Sequence, residues 1–277
     1  MFILHNPEKY NGFLFGSSRV GTIHVENIED MKIYNMTYSA GTPKEHYETI
    51  KTFIDNGIEI SVIYIGVDSY SYTEDPVRHY TQHFRSPYNY LTNIFNFAGL
   101  YINPGMVLQS ISTIKQGKKT SGFDEFYSYG WGADYNKVTN IDMTDAYPVL
   151  GDDYRLEETI KETSDIKDLC EKNNIRLVIF TNPMYEITYR ESVEKFNYLE
   201  FIKKLSEITE FYNFSGLNDI TTNPNYYLDS SHYNAYVGDM MLEAIIKGQA
   251  DSVLYEQGFG WYVTKDNVDE LIQIMRF

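Results

Sequence analysis

The strongest constraint on the fold is a set of short runs in which apolar residues stand at consecutive positions, as in Val62-Ile63-Tyr64-Ile65 and Leu177-Val178-Ile179-Phe180. A strand with one wet face alternates apolar and polar residues. One that is apolar at every position has both faces covered, as in parallel sheets flanked by helices. Comparable runs rich in Ile, Val, Phe or Tyr predict strands at residues 12–15, 32–36, 59–65, 176–181 and 210–214. The stretches between them carry apolar residues at three- and four-residue spacing and predict helices at 43–56, 155–173, 191–207 and 234–247. Thr42 is placed as an N-cap with Pro43 at the first helical position, and Gly248 as a terminator. Strands alternating with crossover helices predict an α/β three-layer sandwich around a parallel sheet of about five strands.

Residues 75–153 break this rhythm. Two helical patterns, YNYLTNIFNF and MVLQSISTI, and then the aromatic loop GFDEFYSYGWGADY predict an inserted helical and aromatic lid within an α/β domain spanning residues 1–250. Because the insertion follows the third strand, its loop at 123–135 is expected over the carboxyl-end edge of the sheet, where open α/β sheets bind ligands. Residues 251–277 are left as a C-terminal tail.

Composition excludes several classes. Lys+Arg 23 against Asp+Glu 39 gives 23 − 39 = −16, a field that repels phosphate backbones, so no nucleic-acid partner is expected. The single cysteine, Cys170, rules out an internal disulfide and a multi-Cys zinc site. No apolar run approaches the roughly 20 residues that span a bilayer, and the N-terminus has no signal-peptide pattern. The 26 Tyr suit sugar binding, an ordinary interface or the bias of an AT-rich genome.

Two segments could carry chemistry. Gly16-Ser17-Ser18-Arg19 lies where the first strand ends, the edge at which open α/β sheets bind ligands. Its serine is either a nucleophile or a helix cap. Asp229-Ser230-Ser231-His232 precedes the last helix. A serine hydroxyl needs a base to take its proton, and an imidazole oriented by a carboxylate supplies one. The alternative is a capping Asp229 or Ser230 beside a surface His232. Asn182 and Tyr185, after the fourth strand, would line a substrate pocket at the same edge or simply close a strand. Arg19 would steady an anionic substrate or be solvated. His79 and His83, four apart, lack a third ligand, and neither a metal nor a cofactor is expected.

These blocks resemble the SGNH (GDSL-like) hydrolases, whose first block is Gly-Asp-Ser and whose last is Asp-x-x-His. The Gly16-Ser17-Ser18 variant is similar to the branch containing extracytoplasmic proteins of alginate O-acetylation and teichoic-acid D-alanylation. The resemblance runs from about residue 12 to residue 247 and implies a flavodoxin-like sandwich. It implies Ser18 as nucleophile, His232 as base and Asp229 as its orienting carboxylate. It also implies an oxyanion hole from Ser18, Thr37 and Asp68. Asn35-Met36-Thr37 stands for the family's Asn-x-Gly block, with Asn35 beside the substrate, and Gly66-Val67-Asp68 for its Gly-x-Asn block. An ionised Asp68 only accepts hydrogen bonds, so it is protonated, or the donor lies elsewhere, or the hole is weak. The implied activity is a serine esterase or O-acyltransferase acting on acyl groups of a cell-surface polysaccharide or a small acyl ester, with a membrane acyl-transfer partner in some members. The alternative is a noncatalytic carbohydrate-binding or scaffold protein. Many members of the branch carry a membrane anchor before the catalytic domain. This chain starts close to its first strand, which reads as an excised domain or a cytoplasmic protein.

Overall fold

The computed structural model describes residues 2–28, 30–76, 107–108, 111, 125–128, 143–146, 154–248 and 250–276. The two helical patterns expected between residues 75 and 153, nearly all of the aromatic loop, and His79 and His83 lie outside the described residues.

The protein is α/β, with a mixed, mostly parallel sheet of six strands in the order β2-β1-β3-β4-β5-β6. The strands are β1 (Gly12–Phe15), β2 (Ile33–Asn35), β3 (Val62–Val67), β4 (Arg176–Thr181), β5 (Phe211–Asn213) and β6 (Trp261–Val263). The first five run parallel, and β6 pairs antiparallel with β5. In sequence order the chain passes from β1 outward to β2, then crosses back to β3 on the other side of β1. The carboxyl ends of β1 and β3 therefore flank the point where the winding reverses, the place where open α/β sheets form their ligand crevice.

Nine α-helices fall among the described residues: α1 (Phe2–His5), α2 (Pro43–Asp55), α3 (Tyr70–Thr73), α4 (Leu156–Lys172), α5 (Glu186–Phe196), α6 (Tyr198–Ile208), α7 (Ala235–Lys247), α8 (Ser252–Glu256) and α9 (Val268–Met275). Strand residues alternate between two buried clusters, which is why the runs are apolar throughout. Phe13, Phe15, Ile63, Ile65, Val67 and Ile179 pack with Ile50 of α2, Ile166 of α4, Phe201 and Leu205 of α6 and Leu271 of α9. Leu14, Val62, Tyr64, Val178 and Phe180 point the other way, to Val20, Ile23 and the α7 residues Val237, Met241 and Ile245. Each such side chain contributes about 1.5–3 kcal/mol on burial.

Local signals explain the helix ends. At α2 the N–H and hydroxyl of Thr42 both donate to Glu45 Oε2, at 3.1 and 2.9 Å. The Asn234 side chain accepts from the Val237 N–H at the start of α7, and Gly248 ends that helix at φ 72°. The helix expected over 191–207 is instead two, because Asn197 takes a left-handed conformation at φ 51°. Asn is the non-glycine residue that best tolerates that region. Cys170 is fully buried in α4, and burial pushes its thiol up to about 12, so it is a core residue. Residues 252–276 form no detached tail. They add β6 to the sheet, and Leu271, Ile272 and Met275 of α9 join the core.

Candidate active site

Ser18 begins a 3₁₀ turn, Ser18–Thr22, immediately beyond β1. Two glycines let that turn settle on the sheet. Gly16 has φ +155°, and a Cβ there would stand 2.7 Å from Val20 Cγ1. A Cβ on Gly66, at the end of β3, would stand 2.5 Å from the same Val20 methyl. Val20 is thereby wedged between the ends of two neighbouring strands, and the serines are carried above them.

The two serines are unlike. Ser18 is exposed, whereas Ser17 is 6 % exposed and its buried Oγ has no hydrogen-bond partner among the described residues. Ser18 Oγ lies 2.7 Å from His232 Nε2. On the far side of the ring, His232 Nδ1 lies 2.9 and 2.8 Å from the two carboxylate oxygens of Asp229. With the Nδ1 proton directed at Asp229, Nε2 is left as the acceptor for the Ser18 hydroxyl.

The loop carrying His232 is a tight structure in its own right. An antiparallel bridge joins Tyr227 to Tyr233, and the Leu228 N–H donates to the His232 carbonyl at 2.7 Å. Asp229 Oδ1 also accepts the N–H groups of Ser231 and His232, both at 2.7 Å. This side-chain-to-backbone turn explains the Asp-x-x-His spacing, because one carboxylate both shapes the loop and orients the ring. Burial works to raise the Asp229 carboxyl, but the His232 ring and the two amides outweigh it and hold the group below its ordinary value. Thr188 Oγ1 of α5 donates to the Ser230 carbonyl at 2.7 Å and secures the loop from outside.

Several expected roles require correction. Arg19 is neither solvated nor open to a substrate. It is 2 % exposed, lies over the Tyr70 ring at 4.3 Å, and its Nη1 meets Asp68 Oδ2 at 2.8 Å. Burial disfavours its charge, yet Asp68 and Tyr70 more than offset this and raise the guanidinium above its ordinary value. Asp68 is no oxyanion donor either. Its Oδ2 also accepts Asn182 Nδ2 at 2.9 Å, and its Oδ1 accepts the Tyr70 N–H at 2.9 Å. Asp68 thus closes the end of β3 in a buried ion pair with Arg19.

Asn182 is fully buried, giving its amide to Asp68 and receiving the Tyr233 hydroxyl at 3.2 Å, so it does not line a pocket. Asn35 is equally buried. Its Nδ2 donates to the Val20 carbonyl at 2.7 Å and its Oδ1 accepts the Thr37 N–H at 3.0 Å. The Thr37 N–H expected at an oxyanion is thus already given to Asn35, and the Thr37 hydroxyl donates to the Ser17 carbonyl at 2.9 Å. Tyr185 is half-buried at the start of α5, edge-on to Tyr227.

Among the described residues, no group of His, Cys, Asp and Glu is arranged to hold a metal ion, and no helix is long and apolar enough to cross a membrane. Comparison of the chain with protein-family models and with curated proteins gives no match.

Proposed function

We propose that the protein is a serine esterase or O-acyltransferase of the SGNH type, built on a three-layer sandwich with the flavodoxin-like strand order 2-1-3-4-5. The observation that carries this reading is the unbroken chain of contacts from an exposed serine through an imidazole to a carboxylate, Ser18 to His232 to Asp229. In the first step His232 Nε2 takes the Ser18 proton as Oγ bonds to the acyl carbonyl carbon. Asp229 stabilises the resulting imidazolium, and the Ser18 backbone N–H is the proposed oxyanion donor. Collapse of the tetrahedral adduct expels the alcohol, which leaves with the proton from Nε2. The acyl group then passes from Ser18 to water or to a sugar hydroxyl, again with His232 as base. The proposed substrate, an acylated cell-surface polysaccharide, rests on the Gly-Ser-Ser and Asp-x-x-His blocks.

Fluorophosphonate labelling followed by mass spectrometry tests the reading. The adduct is expected on Ser18, absent in Ser18→Ala and His232→Ala, and retained in Ser17→Ala. A native protein that takes up no probe, or takes it up on Ser17, overturns it. One observation favours a noncatalytic carbohydrate-binding role instead: neither Thr37 nor Asp68 offers the second oxyanion donor. Glycan binding by a protein that does not label would support that alternative.

A further inference from the structure

Arg19 follows Ser18 in the chain, and Ser231 precedes His232. Arg19 Nε donates to the Ser231 carbonyl at 3.0 Å, a bond buried from solvent. The same guanidinium is fixed from below by Asp68, which stands at the end of β3 and is held by Asn182 at the end of β4. Asn182 in turn accepts the hydroxyl of Tyr233, the residue after His232. One set of bonds thus leaves the residue beside the nucleophile, passes through two strand ends, and returns to the residues on both sides of the base. Removing a charge pair from water is costly, and apolar side chains of similar volume often give equal stability, so stability alone does not account for an Arg–Asp pair at this place.

We infer that Arg19 is a positioning residue for the triad, a buried clamp that sets the Ser18 to His232 distance, with Asp68 and Asn182 fixing its orientation. This rests on the proposed hydrolase reading. A guanidinium suits the task because its planar fork reaches Ser231 and Asp68 in fixed directions at once, which a flexible ammonium cannot. Arg19 touches no reacting atom. It acts through the two turns that carry them.

The test uses Arg19→Lys, the paired apolar replacement Arg19→Met with Asp68→Leu, and Ile166→Ala in α4 as a remote core truncation. Melting temperature, fluorophosphonate labelling rate and the NMR titration of the His232 ring are followed together. Displacement of a reacting group by about 1 Å costs on the order of 10²-fold, so both Arg19 variants should label about that much more slowly while folded. Ile166→Ala should lose melting temperature and keep the native rate. The His232 titration should shift in both Arg19 variants and stay native in Ile166→Ala. If the apolar pair recovers the native melting temperature and the native labelling rate together, the residue is merely structural and the inference falls. A native protein that does not label sinks the hydrolase reading, and the clamp is then judged on the titration alone. An unchanged His232 titration in both Arg19 variants overturns it.

Discussion

Ser17 and Ser18 are neighbours whose surroundings assign them opposite consequences. The Ser17 hydroxyl is buried without a partner among the described residues, and such a group carries a desolvation cost. Ser17→Ala should therefore leave stability unchanged or raise it by about 1–2 kcal/mol, read from urea unfolding. Asp68 is the reverse case. Removing one member of a buried ion pair costs about 3–5 kcal/mol, and Asp68→Ala should show a loss of that size in the same assay. Asp68→Asn keeps the shape but not the charge beside Arg19, so hydrolysis of p-nitrophenyl acetate should not rise above native. Asp229 gives a pH signature. Its carboxyl is held low in the folded state, so its stabilising effect is complete above the ordinary carboxylate value of about 4 and fades as pH falls through the lowered folded value. Asp229→Asn should be less stable than native at neutral pH, with the gap closing under acid, as urea titrations across that range would reveal. The serine, histidine and aspartate were visible in the sequence because a short block contains each. The Arg19–Asp68 pair was not, since nothing local in either segment announces a partner at the end of another strand.

At the scale of elements, legibility followed the strength of local punctuation. β1 and β4 lie at their expected positions because each is a consecutive apolar run stopped by Gly16 or by Asn182-Pro183. β3 is displaced toward its carboxyl end, because Gly66 and Val67 continue the strand beyond its expected end at residue 65. The division of α5 from α6 was missed although Asn197 offered a signal, an Asn inside a helical period. β6 was missed for a different reason, being three residues long with its partner strand, β5, far back in the chain. The turn that carries Ser18 is sensitive to crowding. In Gly66→Ala the new methyl would press on Val20 at 2.5 Å, on Phe180 at 3.0 Å and on Asn182 Oδ1 at 3.1 Å. Overpacking of this kind costs about 1–3 kcal/mol, and the fluorophosphonate labelling rate should fall with it because the Ser18 turn must lift. An unchanged rate would show that Val20 does not seat the turn.

The fold as a whole depends on residues 252–276, which complete both the sheet and the core. Leu271 of α9 is fully buried against α6, and the Tyr189 hydroxyl of α5 donates to the Met275 carbonyl at 2.6 Å. Leu271→Ala should cost about 2–5 kcal/mol by chemical denaturation, a value typical of a core rather than of an appendage. The contact from Ser18 to His232 joins positions 214 residues apart. A ribosome adding about 5–20 residues per second needs roughly 10–40 s to cover that interval. Throughout it the nascent chain carries Ser18 without the His232 ring that meets its hydroxyl, so the proposed triad is incomplete until residue 232 has been added. Whatever reactivity the proposed triad confers is thereby withheld from every product that terminates before the histidine.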